Sequence, residues 1–366
     1  MNNSLGLYIH IPFCRSKCPY CDFFSMRSDK TGYEEYADVL KEKIRLWGKK
    51  TNKITDTVYF GGGTPSVLGT ELLSDILSCI RNSFTVTDDA EITLEANPDS
   101  GKKLDFERLR ALGLNRVSLG LQSANENEMK TLGRIHSLDD VKDTVSLIRK
   151  SGIDNISLDL MMGIPDQTKE SLKNSIDFCA DIGAKHISSY ILKLEENTVF
   201  YNRRDKYSFP DEDETAELYL FAVDYLDKKG FKQYEISNFS IEGFESKHNT
   251  KYWKLDDYLG IGPAAHSFMD GKRFFYERSL QSFKNDVIIE DGKGGSAEEY
   301  IMLRLRLKEG LSINKCKEAF GDFSDKDFLK KIKKYSALGL MDYDGDKVSF
   351  TPKGFLVSNS ILAELI

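Results

Sequence analysis

The sequence predicts an α/β fold in which a parallel sheet curls into a barrel or partial barrel, followed by a smaller, mostly helical domain. Strand-like and helix-like runs alternate through the first two-thirds of the chain, which is the pattern of a parallel sheet covered by helices. From about residue 238 this alternation stops, and helical runs followed by a hairpin complete the chain. A length of 366 residues fits two domains, or one barrel with an appendage.

Six strands are predicted in the first part, each followed by a helical run. The strands are Leu5–Ile11, Thr57–Phe60, Glu91–Glu95, Arg116–Leu121, Asn155–Met161 and His186–Ile191. The helical runs carry apolar residues three to four positions apart, and include Tyr33–Trp47, Thr70–Arg81, Leu104–Leu112, Leu138–Lys150 and Ser171–Ile182. Six strand–helix units make a (β/α)6 sheet, and Phe231–Ile236 could add a strand at its edge.

The chain divides into three predicted parts: a core at 1–237, a connecting segment at 238–296 and a C-terminal domain at 297–366. The last part has helical runs at Ala297–Lys308, Ser312–Phe320 and Asp325–Leu338, then a hairpin that turns at Asp344-Gly345. Helices followed by a hairpin are typical of a winged helix. Winged helices can bind DNA, but the lysines and arginines of this C-terminal domain are interleaved with acidic residues. We therefore favour a domain that packs on the core or binds a protein partner.

Composition limits the range of partners. The formal charge of −7 and a pI near 5.5 argue against nucleic acid. No secretory signal and no apolar run of about 18 residues is present in the sequence. Scattered cysteines without a disulfide framework fit a reducing cytoplasm. The sequence leaves peripheral membrane association and a homodimer open.

Three cysteines lie close together in Cys14-Arg15-Ser16-Lys17-Cys18-Pro19-Tyr20-Cys21, directly after the first strand. A structural zinc ion wants four protein ligands, usually from paired C-x2-C units, whereas Cys79, Cys179 and Cys316 stand singly. A 4Fe–4S cluster bound by protein alone takes four thiolates. Three thiolates on one loop therefore leave one iron open for a ligand that is not protein. On these residues alone, a zinc or redox site stays open beside a cluster.

Polar residues stand near the ends of three predicted strands, where active sites form in a β/α barrel. Glu95 and Gln122 each close a strand, and Asp159 interrupts an otherwise nearly apolar run. Each of them could be a satisfied structural group, but three such residues beside a cysteine loop indicate a site. The turn Gly61–Gly63 could be an ordinary tight turn, or a place where bare backbone approaches a ligand.

Taken together, these motifs resemble the radical SAM superfamily and, within it, the oxygen-independent coproporphyrinogen III oxidase family, with the closer likeness to its heme chaperone branch. The resemblance covers essentially the whole chain. It rests on Leu7-Tyr8-Ile9-His10-Ile11-Pro12-Phe13-Cys14, Gly61-Gly62-Gly63-Thr64-Pro65, Glu95-Ala96-Asn97-Pro98, Ser118-Leu119-Gly120-Leu121-Gln122-Ser123, Leu132-Gly133-Arg134 and Asp159-Leu160-Met161-Met162-Gly163-Ile164-Pro165.

The resemblance implies a radical SAM partial (β/α)6 barrel of the TIM type that holds a 4Fe–4S cluster and S-adenosylmethionine (SAM). Cys14, Cys18 and Cys21 would ligate the cluster, and SAM would chelate the open iron. The SAM site would be formed by Tyr8, Tyr20, Gly62, Gly63, Thr64, Glu95, Gln122, Arg134 and Asp159. Gly62, Gly63 and Thr64 would hold the methionine end, and Arg134 suits the SAM carboxylate. His10 shares a strand face with Tyr8, and its role is left open.

A second motif, His248-Asn249-Thr250-Lys251-Tyr252-Trp253, matches one that the chaperone branch is thought to use with heme. Histidine can ligate iron, and Tyr252 and Trp253 can stack on a porphyrin. The alternative is a loop histidine beside two core aromatic residues. His266 is an alternative or second ligand, whereas His136 and His186 have no assigned role.

Three functions follow as hypotheses. The first is a chaperone that binds heme and delivers it to apo-hemoproteins, using the cluster and SAM. The second is an anaerobic coproporphyrinogen III dehydrogenase, which would also need a low-potential electron donor. The oxidising relatives carry a fourth cysteine where this chain has Phe23, and this favours the chaperone. The third is a zinc scaffold without catalysis.

Overall fold

The computed structural model describes residues 3–321 and 326–366. Its strands are β1 Ser4–Ile11, β2 Ile54–Gly62, β3 Thr85–Ala96, β4 Arg116–Gln122, β5 Asn155–Met162, β6 His186–Ile191, β7 Lys232–Gln233, β8 Asn238–Ser240, β9 Tyr258–Ile261, β10 His266–Met269, β11 Lys272–Tyr276, β12 Ile288–Lys293, β13 Leu311–Ser312, β14 Met341–Tyr343 and β15 Lys347–Phe350.

Helices alternate with these strands. They are α1 Lys30–Lys50, α2 Gly69–Ser83, α3 Pro98–Gly101, α4 Phe106–Ala111, α5 Glu126–Thr131, α6 Leu138–Lys150, α7 Lys169–Asp181, α8 Val199–Asn202, α9 Glu212–Lys228, α10 Lys247–Lys254, α11 Leu280–Lys284, α12 Ala297–Arg304, α13 Ile313–Phe320, α14 Lys326–Ala337, α15 Pro352–Leu356 and α16 Ser358–Leu365. Among the described residues, no helix has the length and apolar character that crossing a membrane requires.

The predicted α/β fold is confirmed. In the described part of the chain, one sheet has the order β12-β11-β10-β9-β1-β2-β3-β4-β5-β6-β8-β7, and β1 to β6 run parallel. All six predicted strands are present, and β6 has the predicted bounds. Residues that follow β1 and residues that follow β6 line the same cavity, so the six strands curve into a partial barrel.

The alternation along β1 shows why this barrel has an apolar outside and a polar inside. Successive side chains of a strand point to opposite faces. Leu5, Leu7, Ile9 and Ile11 are fully buried in the hydrophobic core shared with the helices, and each such side chain stabilises the fold by about 1.5–3 kcal/mol. Tyr8 and His10 alternate with these residues and point into the barrel, where Tyr8 stacks on Tyr59.

Helix boundaries follow local capping. Helix α6 begins with a capping box, in which Ser137 and Asp140 each accept a hydrogen bond from the other's backbone amide, and it has the predicted bounds. The run predicted at Leu104–Leu112 is shorter. It forms α4 from Phe106 because the Asp105 side chain accepts a hydrogen bond from the amide of Arg108 and caps the helix there.

The connecting segment holds structure that the sequence reading missed. Strand β9 pairs in parallel with β1, and β10, β11 and β12 extend the same sheet in antiparallel fashion. On the other side, β8 pairs with β6, and β7 pairs with β8. The strand predicted at Phe231–Ile236 therefore forms only as Lys232–Gln233. The domain boundaries at residues 237 and 296 stay predictions.

The C-terminal part contains the predicted helices and hairpin. Asp325, the predicted start of the third helical run, lies outside the described residues, and α14 continues from Lys326. Strands β14 and β15 pair around Gly345, whose φ of +110° suits glycine in the turn. Strand β13 joins them to make a three-stranded sheet. Two further helices, α15 and α16, follow the hairpin.

Candidate metal centre and its cavity

The cysteine loop leaves β1 and is closed at its base by backbone hydrogen bonds. The amide of Cys14 donates to the carbonyl of Met26 at 3.0 Å, and the amide of Met26 donates to the carbonyl of Pro12 at 2.8 Å. All six cysteines of the chain are free thiols. Cys14, Cys18 and Cys21 are half-buried, whereas the other three are buried. Burial raises the pKa of the Cys21 thiol.

The glycine turn after β2 holds this loop in place. The amide of Gly63 donates to the carbonyl of Ile11 at 2.8 Å, and the amide of Thr64 donates to that of Phe13 at 2.7 Å. A Cβ on Gly63 would lie 2.6 Å from the carbonyl oxygen of Phe13. Gly62 has a φ of +113° and lies against the His10 ring, so it also tolerates no side chain. The two amides therefore anchor the cysteine loop. A ligand's amino group, which donates hydrogen bonds, would use carbonyl oxygens of the turn instead.

A cavity of about 520 Å³ opens at the carboxyl end of the parallel strands. Its wall contains eleven of the twelve residues predicted for the cluster and SAM. These are Cys14, Cys18, Tyr20, Cys21, Gly62, Gly63, Thr64, Glu95, Gln122, Arg134 and Asp159. Ten of them come from the loop after β1 and from β2 to β5 at or near their ends, where parallel strand ends meet, and Arg134 comes from the connection between α5 and α6.

Arg134 is fixed by contacts that leave part of its guanidinium group available. Its Nη2 donates to the Asn97 side chain at 2.7 Å and to the Gly120 carbonyl at 2.6 Å. Its Nη1 donates to the Cys18 thiol at 3.6 Å. Its Nε is buried and meets no hydrogen-bond partner among the residues that the structure describes. A buried cation with an unused donor beside a cysteine ligand suits a carboxylate.

Two carboxyl groups line the same cavity as the cysteines. Glu95 accepts a hydrogen bond from the Tyr59 hydroxyl at 2.7 Å, and Asp159 accepts one from Ser118 at 3.0 Å. Burial raises the pKa of Glu95 to about 7, with a further contribution from the charge of Asp159. Burial also raises the pKa of Asp159, although the buried guanidinium of Arg116 lowers both values.

The end of β4 carries a backbone conformation that is rare for a residue with a side chain. Gln122 has a φ of +73°, and its side chain lines the cavity. Two residues earlier, a Cβ on Gly120 would lie 3.0 Å from Asn97 and 3.1 Å from both Arg134 and Gln122. The absence of a side chain at Gly120 therefore lets these three polar groups meet over the strand.

The two predicted tyrosines are placed differently. Tyr20 lines the cavity and packs against Phe200, with ring centroids 6.3 Å apart. Tyr8 is not part of the cavity wall. It lies behind Tyr59, with ring centroids 6.2 Å apart, and its hydroxyl lies 3.2 Å from Nδ1 of His10. Its inward direction was predicted from the strand alternation and is confirmed, since it stacks on Tyr59 inside the barrel. The role of Tyr8 in the SAM site therefore stays a prediction.

The predicted heme motif does not face the cavity either. His248 is fully buried, with Nδ1 2.8 Å from the Thr57 hydroxyl and Nε2 2.8 Å from the Tyr252 hydroxyl. Its ring stacks on Tyr59 at 5.2 Å. Trp253 is directed elsewhere, with its indole hydrogen-bonded to Glu235. Both ring nitrogens of His248 are therefore hydrogen-bonded within the protein, whereas Tyr252 and Trp253 on the same helix are partly exposed; the heme contact of this motif stays a prediction.

The number of thiols in the cavity bears on the kind of metal centre they could form. Among the described residues, no three His, Cys, Asp or Glu side chains come close enough together to hold one metal ion. A zinc ion needs its thiolates converged at Zn–S distances of about 2.3 Å. In a 4Fe–4S cluster each thiolate binds a different iron, so the ligands stand around the cluster rather than at one point. Three thiols on one cavity wall are fewer than the four protein ligands of a structural zinc site, and they would leave one iron of a cluster without a protein ligand.

Several cavity residues were missed by the sequence reading. They include Lys17, Asn97, Ser118, Gly120, Met161, Tyr190, Leu192, Lys193 and Glu195. The last four lie at or just after the end of β6. The strand-end argument that found Glu95 applies equally to Tyr190, the polar residue next to the end of β6, and would have pointed to this part of the wall.

Two protein-family models match this chain, one in its N-terminal half and one near its C-terminus. The family model described as the radical SAM superfamily matches residues 8–179. The model of the HemN C-terminal domain matches residues 296–357. The first match contains the cysteine loop and the ends of β1 to β5, which form most of the cavity.

Curated relatives match over nearly the full length. The chain is 33% identical to the heme chaperone HemW of Bacillus subtilis, covering 98% of each protein. It is also 33% identical to the heme chaperone HemW of Lactococcus lactis, covering 98% of this chain and 96% of that protein. The solved structure of coproporphyrinogen III oxidase (HemN) from Escherichia coli is similar in fold. Its TM-score is 0.85 at 22% identity, over 99% of this chain and 89% of that one.

Proposed function

Because this chain belongs to the radical SAM superfamily and, within it, to the family of heme chaperones named HemW, we propose that it binds heme and delivers it to apo-hemoproteins. Membership of the superfamily implies a 4Fe–4S cluster and SAM as cofactors. The relatives that match over nearly the whole chain are named heme chaperones, and this supports heme as the cargo. The cluster and SAM would control how heme is taken up or released.

One observation supports the part of this proposal that concerns binding of the cluster and SAM. Three thiols from a single loop line the same cavity as a fixed arginine with an unused buried donor. Cys14, Cys18 and Cys21 would ligate three irons, and Arg134 would meet the SAM carboxylate at the fourth. When bound, the cluster and SAM would supply one-electron chemistry, which requires a low-potential electron donor.

The remaining predicted residues would shape the SAM site. Glu95 and Asp159 would accept hydrogen bonds from SAM, whose ribose hydroxyls and amino group are donors. Gln122 and Tyr20 would complete the wall. The glycine turn would bring backbone close to the methionine end, since a side chain fits at neither Gly62 nor Gly63.

The experiment must separate a heme carrier from a coproporphyrinogen oxidase. Protein with an anaerobically reconstituted cluster is incubated with SAM, a reductant and coproporphyrinogen III, and the porphyrins are then analysed. In parallel, heme-loaded protein is mixed with an apo-cytochrome of the b type, with free hemin at equal concentration as the control. We expect heme to reach the acceptor and no protoporphyrinogen to form. Formation of protoporphyrinogen would overturn the proposal in favour of the oxidase.

SAM binding is expected to depend on pH through Glu95. With a pKa of about 7, its carboxyl group is ionised above that pH and neutral below it. An ionised carboxylate accepts hydrogen bonds better, so affinity for SAM should fall as the pH is lowered through 7, by up to about tenfold per pH unit. Equilibrium dialysis of labelled SAM against the reconstituted protein from pH 5.5 to 8.5 measures this dependence.

The Glu95→Gln variant is the control for this profile. It keeps the shape of the side chain and removes its titration, so its SAM affinity should be weaker and nearly independent of pH. A pH dependence that persists unchanged in Glu95→Gln would belong to SAM itself or to another group, and would contradict the role of Glu95.

A further inference from the structure

We infer that Tyr59, on strand β2, is a positioning residue through which SAM bound beside Glu95 weakens heme binding at His248. This inference rests on the proposed function and on the predicted heme contact of the motif on α10, and it names the side chain that connects the two sites. Tyr59 is not among the residues predicted from the sequence for either site. It is buried, with 8% of its surface exposed, and it contacts one predicted residue of each site.

The contacts of Tyr59 use both ends of its side chain. Its hydroxyl donates a hydrogen bond to Glu95 at 2.7 Å, and Glu95 lines the cavity that would hold SAM. Its ring stacks on the His248 ring, with centroids 5.2 Å apart and planes at 25°. The same ring also stacks on Tyr8, with centroids 6.2 Å apart and planes at 26°. A change in how firmly the hydroxyl is held is therefore felt directly by the histidine.

A glycine makes room for this junction. Gly61 follows Tyr59 by two residues on β2, so both positions face the inside of the barrel. A Cβ at Gly61 would lie 2.9 Å from the Tyr8 ring, 3.1 Å from the Tyr59 ring and 3.2 Å from the Glu95 carboxylate. A side chain there would push these three groups apart. The bare backbone therefore lets the two tyrosines and the carboxylate meet.

The cysteine loop reaches the same ring through two further contacts. Nε2 of His10 lies 3.0 Å from the carbonyl oxygen of Phe24, three residues after Cys21. Nδ1 of His10 lies 3.2 Å from the hydroxyl of Tyr8, which stacks on Tyr59. Short contacts therefore join Tyr59 to the loop that carries the cluster ligands as well as to the SAM cavity.

His248 is held in place in this structure, whereas heme ligation needs it free. Its two ring nitrogens lie 2.8 Å from the hydroxyls of Thr57 and Tyr252. An imidazole that binds iron uses one free ring nitrogen, so one of these hydrogen bonds has to open. The ring is also fully buried, so it has to move outward, away from Tyr59, to meet a porphyrin. Whatever fixes Tyr59 more firmly therefore favours the held arrangement over the heme-binding one.

SAM would fix Tyr59 more firmly through the charge on Glu95. Burial raises the pKa of Glu95 to about 7, so its carboxyl group is partly neutral near that pH. SAM carries a positively charged sulfonium group, and a nearby cation favours the ionised form of a carboxyl group. An ionised carboxylate accepts a stronger hydrogen bond from the Tyr59 hydroxyl. SAM therefore stabilises the held arrangement, and heme binds less tightly.

The test is an absorbance titration of heme into the full-length protein with a reconstituted cluster, with and without saturating SAM. In the wild type we expect SAM to weaken heme binding by at least about fivefold, the lower end of ordinary coupling between two sites. In Tyr59→Phe, which keeps the ring and removes the hydroxyl, SAM should change heme affinity by less than about twofold. Each protein is measured at a SAM concentration that saturates it, so weaker SAM binding alone does not imitate lost coupling.

Tyr225→Phe is the matched control. It also removes a tyrosine hydroxyl that donates to a carboxylate, in this case Asp177 at 2.8 Å, between helices α9 and α7. It should keep the full effect of SAM on heme affinity. Linkage also requires heme to weaken SAM binding by the same factor, and equilibrium dialysis of labelled SAM measures this without relying on the heme spectrum.

The outcomes separate this inference from the proposed function. Loss of the SAM effect in Tyr59→Phe, with the effect retained in Tyr225→Phe, would support the inference. Saturable heme binding that SAM leaves unchanged or tightens in the wild type, or weakens equally in Tyr59→Phe, would overturn the inference and leave the carrier function standing. The absence of saturable heme binding in the wild type would instead contradict the proposed function itself.

Discussion

The His248→Ala variant is expected to lose about 3 kcal/mol of unfolding free energy. The substitution removes a fully buried ring that stacks on Tyr59 at 5.2 Å. It also leaves the hydroxyl groups of Thr57 and Tyr252 without their buried partner. Each unsatisfied buried group costs about 1–3 kcal/mol, and the cavity adds to this. Urea-induced unfolding, followed by the fluorescence of the two tryptophans, measures the change.

His266→Ala is the matched control for this measurement. It removes the same side chain from an exposed position on β10, so its expected loss is within about 0.5 kcal/mol. Equal stability of wild type and His248→Ala would contradict the buried position of the His248 ring. A large loss in His248→Ala, with heme binding retained in the folded fraction, would support a structural role for this motif.

The Gly63→Ala variant is expected to lose most of its cluster. The added Cβ would lie 2.6 Å from the carbonyl oxygen of Phe13 and 2.9 Å from its amide nitrogen and carbonyl carbon. These are backbone atoms of the residue before Cys14, so they cannot move aside as a flexible side chain can. The loop must shift, and its hydrogen bonds from Gly63 and Thr64 are lost with it. Iron and sulfide content after anaerobic reconstitution measures the effect.

Gly243→Ala serves as the comparison for Gly63→Ala. Gly243 has a φ of +84°, so alanine is strained there too, but its Cβ would meet nothing within 4 Å. A general loss of stability should therefore appear in both variants, whereas the loss of iron should appear only in Gly63→Ala. Full iron content in Gly63→Ala would show that the glycine turn does not position the loop.

The parallel sheet could be predicted because its physical signal is local. Apolar strand runs alternate with amphipathic helices, and caps such as Ser137 fix where a helix begins. Glu95, Gln122 and Asp159 stood out for a related reason: a polar residue at the end of an apolar strand is unusual unless it faces a cavity. Strand β9 could not be found in this way, because it has four residues and its pairing joins residues far apart in the chain, such as Tyr8 and Gly260. Strands β10 to β12 pair with their chain neighbours, and the Asp270-Gly271 turn between β10 and β11 was a local hairpin signal that the sequence reading missed.

The histidine motif shows where this kind of argument fails. From sequence alone, a polar residue is interpreted as a ligand or as a surface residue. The interior of this barrel is polar, so a buried structural role is a third possibility. Arg116 and Glu91 are buried inside it, and Glu91 accepts hydrogen bonds from the amides of Lys247 and His248 at 3.0 Å. His248 is one more member of that interior. No local pattern distinguishes such a residue from an iron ligand, since one of its two partners, Thr57, lies on a strand 191 residues away in the chain.

The measurement that tests the central claim most directly is a hemin titration of the anaerobically reconstituted wild-type protein, followed by absorbance. The account predicts saturable, near-stoichiometric binding, with a spectrum that differs from that of free hemin. Absorbance that rises linearly with added hemin, without saturation or a distinct spectrum, would contradict heme as the cargo of this protein.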